Sequence, residues 1–148
     1  MYTLRQATEA DYAFIYQLHR ATMKDYVAQT WGWDEVVQEV MFKDRFDPGR
    51  SCIIVVDGRD VGILSMERRI DTLFVANLQI LPEEQGHGLG TAIIKAILAQ
   101  AFDEGISVSL QVLKVNPARH LYEGLGFVVS GETATHYLMS STIADWRR

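Results

Sequence analysis

The sequence predicts one α/β (α+β) domain over residues 1–148, in which helices cover a single mixed sheet. Two observations carry this prediction. Apolar residues switch between strand and helix spacing in the order β-α-α-β-β-β-α-β-α-β-β, and no repeat, low-complexity stretch or linker divides the chain. At 148 residues the chain is also long enough to bury a core without disulfides or metal.

The first third of the chain predicts a strand and two helices. Residues 2–6 read as a strand, and Thr8 followed by Asp11 is a variant of the capping box that begins a helix. The sequence Trp31-Gly-Trp-Asp34 interrupts the helical spacing, and Asp34 is suited to cap a second helix that ends near residue 46. We expect this second helix to present one apolar face, formed by Val36, Val37, Val40 and Met41.

The rest of the chain predicts a hairpin, a βαβ unit and two closing strands. Residues 52–56 and 61–66 flank the turn signal Asp57-Gly58, which indicates an antiparallel hairpin. A strand, a helix and a second, parallel strand follow. Asn116-Pro-Ala118 begins a short last helix. The expected bounds are 73–81, 88–102 and 106–113 for the βαβ unit, 127–130 and 135–139 for the closing strands, and 140–148 for a polar tail.

Composition limits the classes of partner and compartment. A net charge of -5 argues against a broad nucleic-acid footprint, which needs a basic face. The chain has neither a signal-peptide core nor a run of about 18 apolar residues, so we expect a cytoplasmic protein without a membrane anchor. The single cysteine, Cys52, offers no disulfide framework. No metal site is expected, because the spacing of the four histidines is not that of metal ligands: His19, His87, His120 and His136.

A glycine-rich turn is the most informative feature of the sequence. An apolar strand runs into Gly86, Gly88 and Gly90, and the turn opens directly onto an apolar helix. Glycine lets the backbone approach a ligand closely, and the unpaired amides at a helix start attract anions, so the pattern predicts a diphosphate site. A dinucleotide fingerprint is excluded because Thr91 stands where its third glycine belongs, and no Walker A motif occurs.

Two motifs resemble those of the Gcn5-related N-acetyltransferase (GNAT) superfamily. Gln85-x-x-Gly88-x-Gly90 is similar to its acetyl-coenzyme A pyrophosphate loop, and the stretch from Asn116 to Phe127 resembles its second motif with one residue of altered spacing. The resemblance implies a mostly antiparallel sheet with helices on both faces, whose central parallel pair is splayed by a bulge. It also implies acetyl-coenzyme A as cosubstrate.

The resemblance assigns cofactor contacts residue by residue. It implies that the backbone of Leu78 and Ile80, with Gln79 between them, holds the pantetheine arm. Asn116 resembles a cofactor contact, although capping the helix at Pro117 is an equally good role. Arg119 is a candidate for the nucleotide's phosphates, with simple surface exposure as its alternative. The pyrophosphate loop comprises Gln85, Gly86, His87, Gly88, Leu89, Gly90 and Thr91.

Tyr122 is the expected general acid. Its ordinary pKa of about 10 keeps the phenol protonated at neutral pH, ready to donate to a leaving thiolate. The alternative is a tyrosine that only packs its helix on the sheet. The base is open, because Gln111 stands where some relatives have a glutamate. Glu35, Glu67 and His19 are the remaining candidates, and Gln79 is suited to orient a water or the acceptor.

The resemblance predicts an N-acetyltransferase that acts on a primary amine of a small molecule or a peptide in a ternary complex. Trp31 and Trp33 lie in the segment that lines the acceptor pocket of the family, with core packing as the alternative. A non-catalytic acyl-coenzyme A binding module is the competing hypothesis, because Gln111 cannot act as a base. A nucleotide-dependent oxidoreductase is disfavoured by the failed fingerprint. A homodimer through the last strands is compatible with the sequence.

Overall fold

The computed structural model describes residues 1–141. The strands and helices follow in the predicted order. Ser140 and Ser141, expected in a polar tail, belong to the last strand, and the rest of that expected tail lies outside the described residues. The elements are β1 Tyr2–Gln6, α1 Tyr12–Trp31, α2 Glu35–Arg45, β2 Ser51–Val56, β3 Arg59–Arg68, β4 Thr72–Ile80, α3 Leu89–Glu104, β5 Ser107–Leu113, α4 Ala118–Gly124, β6 Val128–Glu132 and β7 His136–Ser141.

Seven strands form a mixed sheet in the order β1-β2-β3-β4-β5-β7-β6. The parallel pair is β4 with β5, in register from Thr72 opposite Ser107 to Val75 opposite Leu110. The pairs β1-β2, β2-β3, β5-β7 and β6-β7 are antiparallel. The predicted fold class is therefore confirmed. The bulge expected in β4 stays a prediction.

Contacts divide the chain into two compact units. Unit 1 contains Met1–Ser65 and Asn77–Gln85, and unit 2 contains Met66–Ala76 with the chain from Gly86 onward. β4 therefore contributes its first residues to unit 2 and its last residues to unit 1. That the whole chain forms one domain stays a prediction. Of the helices within residues 1–141, none is long and apolar enough to span a bilayer.

The helices of unit 1 begin and end at the capping residues and the glycine that the sequence predicts. The Asp11 carboxylate accepts the Thr8 N–H at 2.9 Å and pairs with Arg5 at 2.8 Å. The hydrogen bonds from Arg5 hold the pKa of Asp11 below its usual value. Gly32 ends α1 with φ of 83°, and the Asp34 carboxylate accepts the Val37 N–H at 3.0 Å to cap α2.

The four apolar residues expected to share a face of α2 do not form its contact with the core. Val36, Val37, Val40 and Met41 are 71, 49, 56 and 38% exposed. The helix instead packs through Phe42, which contacts the rings of Tyr12 and Tyr16 on α1. An aromatic side chain buries more area than a valine, so the aromatic contacts decide which face turns inward. The unit 1 core itself consists of Ala7, Ile15, Leu18, Ile53 and Ile63.

In unit 2, α3 packs against β5. Its buried side chains recur at helical spacing, which fixes the helix on the strand. Gly105 ends α3 in the left-handed conformation with φ of 72°, and its N–H reaches the Phe102 carbonyl at 3.1 Å. The buried residues of α3 are Ile93, Ile94, Ile97, Leu98 and Ala101.

Gly62 on β3 allows a close approach to β4. An ideal Cβ at this position would lie 2.4 Å from the Gln79 carbonyl oxygen and 3.0 Å from Cδ1 of Ile54. Next to it, the Val61 carbonyl accepts the Leu81 N–H at 2.9 Å, so the end of β4 is hydrogen bonded there. A backbone carbonyl cannot rotate away as a flexible side chain does. Any side chain at residue 62 therefore displaces the backbone of Gln79.

We predict that Gly62→Ala destabilises the protein by about 1–3 kcal/mol, the usual cost of overpacking. Glycine to alanine normally stabilises by about 0.4–1 kcal/mol where the backbone allows it, so the steric term reverses the sign. Urea unfolding measures the change. Gly49→Ala is the matched control, because its Cβ would make only an ordinary 3.5 Å contact with Asp47. Equal stability of the two variants contradicts the prediction.

Candidate functional site

The glycine-rich turn before α3 is open to solvent, and the first turn of α3 itself carries no acidic residue. Gly86 and Gly88 have φ of 80° and 83°, in the left-handed region that disfavours side chains. A Cβ built on either glycine meets no atom within 4 Å, so space is free beside both. The first turn of α3 contains no acidic residue. No carboxylate of the helix's own first turn therefore opposes an anion there.

The first amides of α3 supply the hydrogen-bond donors. The Ala92 N–H donates to the Gly88 carbonyl at 2.9 Å, which is the first bond of the helix. Helix geometry therefore leaves the N–H groups of Leu89, Gly90 and Thr91 without an acceptor inside the helix. The positive end of the helix dipole adds to them. Such a set of groups is suited to bind an anion such as a phosphate.

Gln85 holds the end of β4 rather than projecting free. Its Nε2 donates to the Ile80 carbonyl at 2.8 Å. Ile80 is buried, and Leu78 is half-buried. Gln79 is only 7% exposed, yet its side-chain oxygen Oε1 has no hydrogen-bond partner among residues 1–141. A buried amide oxygen without a partner costs free energy, so Gln79 is suited to receive a donor from a ligand.

The residues of the second motif are engaged with one another. Asn116 Oδ1 accepts the Ala118 N–H at 2.9 Å, two residues along the chain and at the first residue of α4. Arg119 Nε contacts Glu123 at 2.9 Å, and its guanidinium lies 4.8 Å from the centre of the Tyr137 ring. The Arg119 side chain is thus engaged by Glu123 and Tyr137. Whether Asn116 and Arg119 also bind a cofactor stays a prediction.

Tyr122 combines packing with a polar group in an apolar setting. Its ring lies 5.8 Å from that of Phe127 in an edge arrangement. Its carbonyl accepts the N–H groups of Leu125 and Phe127, each at 3.0 Å, which ends α4. Burial raises the pKa of the Tyr122 hydroxyl above its usual value of 10.0. The hydroxyl is therefore protonated at neutral pH and able to donate.

The two tryptophans of the α1–α2 connection behave differently. Trp33 Nε1 donates to Glu35 at 2.7 Å, and the Lys24 ammonium lies 5.8 Å from the ring centre. The His19 ring is 6.1 Å away. Trp31 is 60% exposed. Trp33 thus belongs to a cluster between the helices, whereas Trp31 faces outward.

The three candidate bases differ in how they are engaged. Glu35 lies 2.9 Å from Arg20 and accepts from Trp33, and Glu67 is exposed and 3.6 Å from Arg69. His19 packs against Trp33 and Phe42, and burial lowers the pKa of its imidazole below the ordinary 6.5. His19 is therefore neutral at pH 7.

Comparison with known proteins identifies the family. The profile described as the acetyltransferase (GNAT) family matches residues 12–127. The chain belongs to the GNAT family. A curated relative, the L-2,4-diaminobutyric acid acetyltransferase of Nocardia farcinica, is 35% identical over 75 residues, which cover 48% of this chain and 39% of the relative. The [ribosomal protein bS18]-alanine N-acetyltransferase of Haemophilus influenzae is 29% identical over 75 residues, 50% of this chain and 51% of the relative.

The fold of solved GNAT proteins extends over nearly the whole chain. The PaiA N-acetyltransferase of Thermoplasma acidophilum, solved in complex with coenzyme A, superposes with a TM-score of 0.77 at 14% identity. The match covers 96% of this chain and 99% of that one. At this identity the likeness shows the fold alone. The curated relatives, by contrast, are matched over about half of their length or less.

The sequence missed three buried features of this GNAT chain. The hydroxyls of Tyr12 and Tyr16 are buried and, among residues 1–141, without hydrogen-bond partners. Both tyrosines fall at helical spacing among the apolar residues of α1, and two phenols four residues apart were the available hint. Gly62 showed no hint, because its neighbour Gln79 lies on another strand. Residues 1–141 contain no group of three or more His, Cys, Asp or Glu side chains that would hold a metal, and the expectation of no metal stays a prediction.

The lowered pKa of His19 predicts a pH dependence of stability. The folded pKa lies below the unfolded value, so the unfolded chain binds more protons in the window just below pH 6.5. Stability therefore falls as the pH drops through that window, with a slope of at most about 1.36 kcal/mol per pH unit from this group. His19→Phe keeps a ring between Trp33 and Phe42 and should flatten the dependence. Urea unfolding at several pH values measures it, and an unchanged slope contradicts the assignment.

Proposed function

We propose that this protein is an acetyl-coenzyme A-dependent N-acetyltransferase that acylates a primary amine of a small molecule or a peptide. The observation that carries the proposal is the anion site at the start of α3, free of acidic side chains in its first turn. Membership in the GNAT family supports the choice of acetyl-coenzyme A over other diphosphates. The two curated relatives acetylate diaminobutyric acid and a ribosomal protein alanine, so both acceptor classes stay open.

The pyrophosphate is bound by the main chain. We propose that the amides of Leu89, Gly90 and Thr91, with the open backbone at Gly86 and Gly88, receive its oxygens. His87 is exposed beside them and contributes a further donor. The sum of several charge-assisted hydrogen bonds and the helix dipole accounts for binding without a basic loop.

The remaining proposed cofactor contacts rest on the family resemblance. The backbone of Leu78 and Ile80 would hold the pantetheine arm, and Gln79 offers it, or the acceptor amine, an unpartnered amide oxygen. Gln85 would act through its bond to Ile80. The last two proposed contacts are Asn116 and Arg119.

The reaction needs one bond made and one broken. The neutral amine attacks the thioester carbonyl carbon, a C–N bond forms, the C–S bond breaks, and the thiolate takes a proton from the Tyr122 hydroxyl. Backbone donors that stabilise the carbonyl oxygen, and the alignment of the two substrates, supply most of the acceleration. Burial around Tyr122 supports its role, because it keeps the phenol protonated.

The proton lost by the amine is best received by His19 or by water. His19 is neutral at pH 7 because burial lowers the pKa of its imidazole. Glu35 is engaged with Arg20 and Trp33. We propose a cytoplasmic protein without a nucleic-acid partner, in keeping with its single cysteine and net charge of -5. A homodimer through the last strands stays a proposal without a structural argument.

A non-catalytic acyl-coenzyme A binding module is the second candidate. One observation favours it. Gln111 is an exposed residue of β5 and lies opposite Leu138. Some relatives have a glutamate at this position, whereas the amide of Gln111 cannot act as a base. Such a module would bind the cofactor and release no free thiol with any amine.

Tyr122→Phe separates the two candidates. We expect turnover to fall by about 100- to 10,000-fold, the usual contribution of a general acid. Coenzyme affinity, measured by calorimetry, should stay the same, because the ring and its contact with Phe127 remain. Release of free thiol from acetyl-coenzyme A measures turnover. Unchanged turnover removes the acid role from Tyr122.

Gly88→Val tests the anion site. A β-branched side chain is strained at φ of 83° and fills the space beside the turn, so coenzyme A binding should be lost. Gly58→Val is the matched control: its φ is 74°, its Cβ likewise meets nothing within 4 Å, and it lies in the β2–β3 hairpin turn. Both variants carry similar strain. Equal coenzyme affinity of the two variants would show that the turn is not the phosphate site.

A further inference from the structure

The α2 helix presents an apolar face to solvent. Phe42 packs the helix onto Tyr12 and Tyr16 of α1, and no residue from 35 to 45 is buried. With about 3.6 residues per turn, the exposed apolar residues of α2 share one face, away from Phe42. Single exposed apolar residues are ordinary, whereas a contiguous patch is typical of an interaction surface. This α2 patch consists of Val36, Val37, Val40 and Met41.

The charges of α2 change sign along the helix. Residues 34–39 include three acidic side chains and no basic one, whereas residues 40–45 include two basic side chains and one acidic. Asp34, Glu39 and Lys43 are exposed, so their charges can act on a neighbouring molecule. A partner that matches this helix therefore carries the opposite order of charges beside an apolar face.

We propose that the α2 patch packs against the α2 patch of a second copy of this chain, with the two helices antiparallel about a two-fold axis. An axis between residues 38 and 39 puts Val37 beside Val40 of the second copy, and Asp34 beside its Lys43. The acidic start of each helix then meets the basic end of the other, and the two helix dipoles oppose one another favourably. A parallel copy would bring like charges together.

The α2 patch is small, which sets the expected affinity. A stable complex buries about 800 Å² on each partner, and one face of an 11-residue helix offers less. We therefore expect a weak dimer, with a dissociation constant of about 10–100 μM. The inference does not depend on the proposed acetyltransferase activity, because self-association is measured without coenzyme or amine.

Sedimentation velocity at concentrations below and above that constant tests the interface. Val40→Lys places two ammonium groups close to the axis and should raise the dissociation constant at least about 10-fold. Val128→Lys is the matched control, because Val128 on β6 is 54% exposed and Val40 is 56% exposed. The control should leave the dimer unchanged. A monomer at every concentration, equal effects of the two substitutions, or a dimer that only Val128→Lys dissociates overturns the proposal.

Ionic strength and a charge reversal test the antiparallel arrangement. Sodium chloride should weaken the wild-type dimer, because it screens the attraction between the helix ends. Lys43→Glu should raise the dissociation constant, because a carboxylate then faces Asp34 of the second copy. Lys95→Glu on α3 makes the same change in net charge at another exposed lysine and should have a smaller effect. A dimer that salt strengthens, or equal effects of the two reversals, overturns the antiparallel arrangement.

Discussion

The main-chain amides at the start of α3, which have no acceptor inside the helix, are the constraint on which the proposed cofactor site depends. These amides can bind a ligand in a fixed geometry only if the helix does not shift. Within unit 2, α3 buries an apolar face and packs against β5. The left-handed conformations at Gly86 and Gly88 then bring the chain to the helix start with no side chain in the way. Donors held in position before the ligand arrives need little reorganisation, so binding is not weakened by ordering the loop.

Two sets of polar groups differ in what they cost the ligand-free protein. The turn at Gly88 is exposed, so water satisfies the amides of the helix start and a ligand would only replace it. The phenols of Tyr12 and Tyr16 are closed off from solvent, and within residues 1–141 their lost hydrogen bonds are not replaced. The buried phenols of unit 1 therefore cost folding free energy, whereas the exposed amides of unit 2 cost almost none.

Sequence reasoning succeeded where local chemistry decides the structure. Asp34 caps α2 as expected, because a capping side chain acts on the backbone of its own neighbours. It failed where a distant element decides. Val36 is exposed because Phe42 packs on α1 instead, and Gly62 is required by a carbonyl on the next strand. The left-handed conformations at Gly86 and Gly88 and the hydrogen bond of Asn116 were predictable for the same reason, because each involves the backbone of near neighbours in sequence.

The proposed reaction needs an acceptor for the proton that the amine loses, and the three candidate side chains differ in whether they can take it. Glu35 is engaged by Arg20 and Trp33, whereas burial lowers the pKa of the His19 imidazole and leaves it neutral at pH 7. An alkyl ammonium has an ordinary pKa of about 10.4, so its loss of a proton to a neutral imidazole or to water is unfavourable by several pKa units. Only the small neutral fraction of the amine therefore attacks, and the rate of the proposed reaction should rise with pH. An amide at Gln111 is compatible with turnover of this kind, because the amine reaches the site already neutral.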